Sequence, residues 1–158
     1  MTDDDRKFMT RAIELAREGM DANSGGPFGC VVVKDGEIIG EGNNRVTSAN
    51  DPTAHAEVVA VRSACTTLET FQLDGCSIYT SCEPCPMCLG AIYWARPEKV
   101  FYACTREDAA AVGFDDDFIY DELAKPIDER KRVLINLLRE EGVALFRDWS
   151  AKTDKVEY

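Results

Sequence analysis

Two short stretches of this chain hold residues that could build a hydrolytic metal centre. His55-Ala56-Glu57 offers an imidazole and a carboxylate, and Pro84-Cys85-Pro86-Met87-Cys88 offers two thiols. Together they supply three zinc ligands (His55, Cys85 and Cys88), one acid/base carboxylate (Glu57) and no fourth ligand. Catalytic zinc sites have that inventory, three protein donors and an open position for water, so one Zn2+ per chain is expected. On a helix, cysteines three apart lie on one face, a turn from each other. Pro84 and Pro86 suit the start of such a helix, where amide protons are not needed. A helix N-terminus also favours the thiolate that metal requires. His55 and Glu57 are two apart and cannot share a helical face, so the ring can hold metal while the carboxylate points past it. Asp51-Pro52-Thr53 reads as a turn and cap opening the helix that carries them.

Other chemistries use parts of this pattern. Cys82, Cys85 and Cys88 together resemble the start of an iron–sulfur run, but that run needs a further cysteine near position 92, where Ile92 stands. A redox pair at 82/85 or 85/88 has no use for the upstream His-x-Glu. A structural zinc site wants four ligands. The chain has 1 histidine, and although Cys82 could be the fourth donor, nothing structural would then require Glu57.

The elements that must position these residues follow from periodicity. Phe8, Ala12, Leu15, Ala16 and Met20 share a helical face, predicting an amphipathic helix over about 5–20. Asn23 to Pro27 is a loop by composition. Phe28 to Val33 is an apolar strand, Asp35-Gly36 a hairpin turn, and Glu37-Ile38-Ile39 the start of the returning strand. The His55 helix is expected to turn Val58, Val61, Cys65 and Leu68 to the core. Ser77 to Thr80 is a third strand, Arg96-Pro97 ends the cysteine helix, and Val100 to Ala103 is the next strand. A strand, helix and strand in so few residues make a parallel crossover, with the cysteines at the carboxyl edge of the sheet, where open α/β sheets place ligands. Thr105 caps a short alanine helix ending at Gly113, and an acidic loop runs from there to Phe118. Arg132 to Leu138 reads equally as strand or helix, and Val143 to Thr153 as a last helix.

Composition narrows the function. The 158 residues are expected to form one domain with a real core. The start, Met1 to Asp5, is acidic and reads as no signal peptide, and no apolar run approaches the roughly 18 residues of a membrane span. With 7 cysteines, an odd number, a reduced cytoplasmic setting is expected. The net charge of −11 argues against a grip on phosphate backbones. Residues 127–158 balance seven basic against seven acidic side chains and offer no hidden basic patch.

The order His-x-Glu then Pro-Cys-x-x-Cys is the signature of zinc-dependent nucleobase deaminases. The chain resembles the cytidine-deaminase-like superfamily and, within it, the bacterial guanine deaminases. The matching residues are Gly25-Gly26-Pro27-Phe28-Gly29, Asn43-Asn44, Asp51 to Glu57, Ser81 to Cys88, Gly90 to Arg96, Gly113 to Asp116 and Glu157-Tyr158. Trp94, the Phe114-Asp115-Asp116 loop and Tyr158 are what narrow the resemblance toward guanine. It implies a three-layer α/β/α fold with a mixed central sheet of about five strands. One zinc-dependent deaminase domain would span 1–158, with 127–158 closing the active site or exchanged in a homodimer. It implies hydrolysis of guanine to xanthine and ammonia, with zinc activating water for attack at C2. Glu57 would take the water's proton, pass it to N3 and help protonate the departing amine. Asn44, Ala56, Trp94, Asp116 and Tyr158 would contact substrate, and Phe28 would stack on the base. Guanosine, cytosine and tRNA adenosine remain alternative substrates on the same scaffold, and a zinc-binding module without catalysis is the alternative from another class.

Overall fold

The computed structural model describes residues 2–158, which form two compact units, 2–119 and 120–158. The first unit is built on a mixed sheet in the order β2-β1-β3-β4: β1 Gly29–Lys34, β2 Glu37–Asn43, β3 Cys76–Cys82 and β4 Lys99–Cys104. β1 pairs antiparallel with β2 and with β3, and β3 pairs parallel with β4. Asp35 (φ 51°) and Gly36 (φ 81°) make the two-residue β1–β2 turn, both left-handed as a hairpin of the right twist demands.

Helix α1 (Asp3–Asp21) covers one face of the sheet. Its Phe8 and Leu15 pack with Val31, Val33 and Tyr79. Thr2 and Asp5 form a reciprocal capping box at its start. Met20, expected on the buried face, is instead 41% exposed, because it lies on the last turn. Arg11 ties α1 to β2 through a two-pronged pair with Glu41, Nε to Oε1 at 2.8 Å and Nη2 to Oε2 at 3.0 Å.

The other face carries α3 (Ala56–Leu68) and α4 (Pro86–Ala95), packed with Cys30, Val32, Cys76 and Ile78. The stripe of α3 against the sheet is Ala56, Ala60 and Ala64, all 0% exposed, and not the expected Val58, Val61, Cys65 and Leu68, which sit half-buried beside it. Small residues meet small ones here: a Cβ on Gly42 would collide with the Ala56 carbonyl, so the helix rides directly on the strand. A four-residue helix, α2 (Val46–Ala49), precedes α3.

Beyond β4 come α5 (Arg106–Ala111), with Thr105 as its expected cap, and α6 (Asp117–Ala124). The expected acidic loop is therefore shorter and ends where α6 begins. The second unit holds a short 3-10 turn at Ile127–Glu129 and helix α7 (Arg139–Ala151), which starts four residues before the expected Val143. Residues 133–138 are neither strand nor helix, and their apolar side chains are exposed, Ile135 at 81%. The sheet thus has four strands among the described residues, not about five. With their apolar side chains left exposed, residues 133–138 gain no burial to offset the entropy of ordering them as a strand.

Candidate active site

The candidate metal ligands sit at the N-termini of two helices. His55 is the N-cap of α3 and Cys85 the N-cap of α4, with Pro86 in the first turn. Asp51 is therefore not the cap of α3. Its carboxylate accepts from the Thr53 backbone N–H at 2.8 Å and hydroxyl at 2.7 Å, forming the turn that delivers His55. Nor do the cysteines lie on successive helical turns: Cys85 precedes the helix, and its Sγ accepts from the Cys88 N–H at 3.5 Å. Both helix ends carry partial positive charge toward the sulfurs, favouring thiolate.

His55 Nδ1 lies 3.5 Å from Cys85 Sγ and 3.5 Å from Cys88 Sγ. A tetrahedral zinc with Zn–S of about 2.3 Å and Zn–N of about 2.0–2.1 Å sets its sulfur and nitrogen ligands about 3.5 Å apart. The donor set therefore fits zinc in type, number and spacing. Charge agrees. Cys85 is pulled down to about 4, chiefly by accepting from the Cys88 thiol and also by His55. The Cys88 thiol is held protonated by that same bond and by burial, so a second thiolate needs a cation between the sulfurs. His55 is raised, first by its bond to Cys85.

Glu57, in the first turn of α3, is buried. Its Oε1 accepts from the Thr80 hydroxyl at 3.2 Å, and its Oε2 lies 3.4 Å from Cys88 Sγ. Burial pushes this carboxyl up. Cys82, the other claimant for metal, is outside the donor set: its Sγ donates to the Thr105 carbonyl at 3.5 Å, and burial pushes it to about 12.

A cavity of about 320 Å³ opens onto these groups, lined among others by Phe28, Asn44, His55, Glu57, Cys85 and Asp116. Asn44 is buried, and its Oδ1 accepts from the Gly26 N–H at 3.3 Å and the Val46 N–H at 3.1 Å. Phe28 meets Phe114 edge to face, their rings 4.9 Å apart, walling one side. Asp116 is raised, chiefly by burial and then by the Cys85 thiolate. Ala56 is buried as the first residue of α3. Trp94 is 64% exposed on α4 and is not among the cavity's lining residues. Tyr158 is 70% exposed and belongs to the second unit.

Sequence reasoning gave no role to Glu83 and Arg106, which line this cavity, or to Thr80, which lies against Glu57. Thr80 had a signal. On β3 the alternate residues Cys76, Ile78, Thr80 and Cys82 form one face, and threonine is its lone hydroxyl.

Residues 2–104 match the family described as the cytidine and deoxycytidylate deaminase zinc-binding region. The chain belongs to the cytidine and deoxycytidylate deaminase family. Membership in this zinc-binding deaminase family agrees with the geometry of His55, Cys85 and Cys88. Within the family the chain is similar to the guanine deaminase of Bacillus subtilis, 58% identical over 151 residues, covering 96% of this chain and 97% of that one. The X-ray structure of guanine deaminase from Bacillus subtilis is similar at 57% identity with a TM-score of 0.94, covering 97% of this chain and 98% of that one. A tRNA-specific adenosine deaminase of Aquifex aeolicus is similar over less of the chain: 47% identity over 77 residues, 49% of this chain and 51% of that one.

Proposed function

We propose that this protein hydrolyses guanine to xanthine and ammonia. The observation that carries the reading is the near-full-length likeness to the Bacillus subtilis guanine deaminase, which runs beyond the shared zinc motif into the Phe114-Asp115-Asp116 loop and the C-terminal segment. The relatives named as tRNA-specific adenosine deaminases match 49–72% of the chain at 37–47% identity, below the 58% over 96% of the guanine deaminase, and the charge of −11 suits a small base better than a polynucleotide.

Zinc, when bound by His55, Cys85 and Cys88, supplies an acidified water as nucleophile. Glu57 is the catalytic acid/base: its carboxylate accepts the water's proton, delivers it to N3 and then serves the leaving amine at C2. Asn44, with Oδ1 occupied by two backbone N–H groups, is left to donate from Nδ2 to a purine acceptor such as O6 or N7. Asp116 accepts from the N1–H and the C2 amine. Phe28 and Phe114 provide an apolar wall for the ring, and the Ala56 backbone lies beside the carboxylate at the start of α3. Trp94 and Tyr158 enter the proposal on the resemblance alone; removing the last few residues is expected to lower turnover with zinc content intact.

The reading includes a homodimer in a reducing cytoplasm. All seven cysteines are free, and no helix among the described residues is long and apolar enough to cross a membrane. Exposed Leu145 and Phe146 on α7 offer an apolar surface for self-association. The deciding experiment is ammonia release from guanine by the zinc-loaded protein beside Glu57→Gln. Loss of turnover by roughly 100- to 10,000-fold with zinc retained is expected. An inert, zinc-replete wild type overturns the assignment and turns attention to guanosine and cytosine.

A further inference from the structure

We infer that Thr80 is a positioning residue for the deamination, acting through Glu57 by fixing which of its two carboxylate oxygens moves the proton. The inference rests on the proposed role of Glu57. Thr80 is 1% exposed on β3, on the face whose Cys76 and Ile78 pack with α3 and α4. Its surroundings are apolar: Cys30 is its register partner on β1, and Cys30, Val32 and Ile78 are all 0% exposed. Valine has nearly the same shape and suits such a strand at least as well. A buried hydroxyl here is accounted for only by a partner that needs it.

That partner is Glu57 Oε1, at 3.2 Å. The terminal torsion of a glutamate is soft and roughly two-fold, so burial alone does not distinguish the two oxygens. The hydroxyl does. With Oε1 turned toward the sheet and accepting from Thr80, Oε2 is the oxygen left beside the metal donors, 3.4 Å from Cys88 Sγ. A proton shuttle must reach both the attacking water and the base without reorienting, and misplacement of about 1 Å costs on the order of 100-fold in rate. Thr80 also delivers its single donor from a strand rather than a loop. β3 is paired on both sides, with β1 and with β4, which holds the hydroxyl at a fixed depth beneath the first turn of α3.

The test compares wild type, Thr80→Val, Thr80→Ser, Glu57→Gln and the Glu57→Gln/Thr80→Val double variant, all zinc-loaded. Thr80→Val is expected to lower kcat for guanine roughly 10- to 100-fold, with KM within about twofold, zinc content unchanged and Thr80→Ser restoring most of the rate. In the Glu57→Gln background the same change is expected to cost no further turnover, because the group it acts through is gone. Wild-type kcat in Thr80→Val overturns the inference. A loss that serine does not restore, or an equal loss on top of Glu57→Gln, makes the role merely structural and also overturns it. Should Thr80→Val fail to fold, Thr80→Ala and Thr80→Ser carry the same comparison. Infrared difference spectra separate the two proposals. If the wild type is inert toward guanine, the functional reading has failed. The Thr80–Glu57 link is then still read from a carboxylate band that shifts between wild type and Thr80→Val and is absent from the Glu57→Gln pair; no shift overturns it.

Discussion

Asn44 commits its side-chain oxygen to the backbone of the loop before β1 and of the first residue of α2, accepting from Gly26 and Val46. An aspartate there keeps an acceptor for both N–H groups and loses the amide donor. Asn44→Asp is therefore expected to keep the fold, with a thermal midpoint near wild type, while kcat/KM for guanine falls roughly 10- to 100-fold, the cost of one hydrogen bond lost at a desolvated site. Steady-state kinetics beside thermal melts check it. At this scale the metal donors were legible because histidine and paired cysteines carry their chemistry in residue type and spacing. Their setting was not: His55 and Cys85 precede their helices, since the cap position follows from backbone torsions that neighbouring residues decide together. Thr80 stood out as the lone hydroxyl on its face of β3, but its role was not legible because its partner lies 23 positions away, on another element.

Helix α3 carries His55 and Glu57, so its seat on the sheet sets the site. Gly42 lies under the Ala56 carbonyl, and Gly42→Ala is expected to cost about 1–3 kcal/mol by overpacking. It should also lower turnover, because the same shift moves Glu57. Thermal unfolding read beside activity checks both. The Arg11–Glu41 tie between α1 and β2 makes a pH-dependent contribution. Arg11 holds the Glu41 carboxyl below the usual range, so its stabilisation is present above the unfolded-state pKa of about 4.3 and is lost as pH falls through the lower folded value. Thermal midpoints measured from neutral pH down into the acid range are expected to fall less steeply in Arg11→Met than in wild type. The sequence foretold the order of elements well. It misjudged which residues of α3 face inward, because hydrophobicity points to valine and leucine, whereas close approach to Gly40 and Gly42 selects the alanines.

Taken whole, the molecule departs from the reading of its sequence chiefly in strand number and in the C-terminal unit. No fifth strand forms among the described residues, and Val133, Ile135 and Leu137 of the second unit are all more than three-quarters exposed. Apolar side chains that a single copy leaves in water find cover by association. Light scattering is expected to give twice the 17.5 kDa chain mass, and charged residues at Leu145 and Phe146 are expected to shift it toward the monomer. The donors at two helix N-termini also bear on the molecule as a whole. His55 and Cys85 are 30 positions apart, so one ion held between them would clamp α3 to α4 with the whole of β3 in between. Such a clamp makes folding a titration. Between saturation and depletion, each tenfold fall in free zinc is expected to take about 1.4 kcal/mol from apparent stability, by mass action on an ion that binds only the native fold. The melting temperature then becomes a gauge of the zinc activity around the protein, to be read in a series of metal buffers.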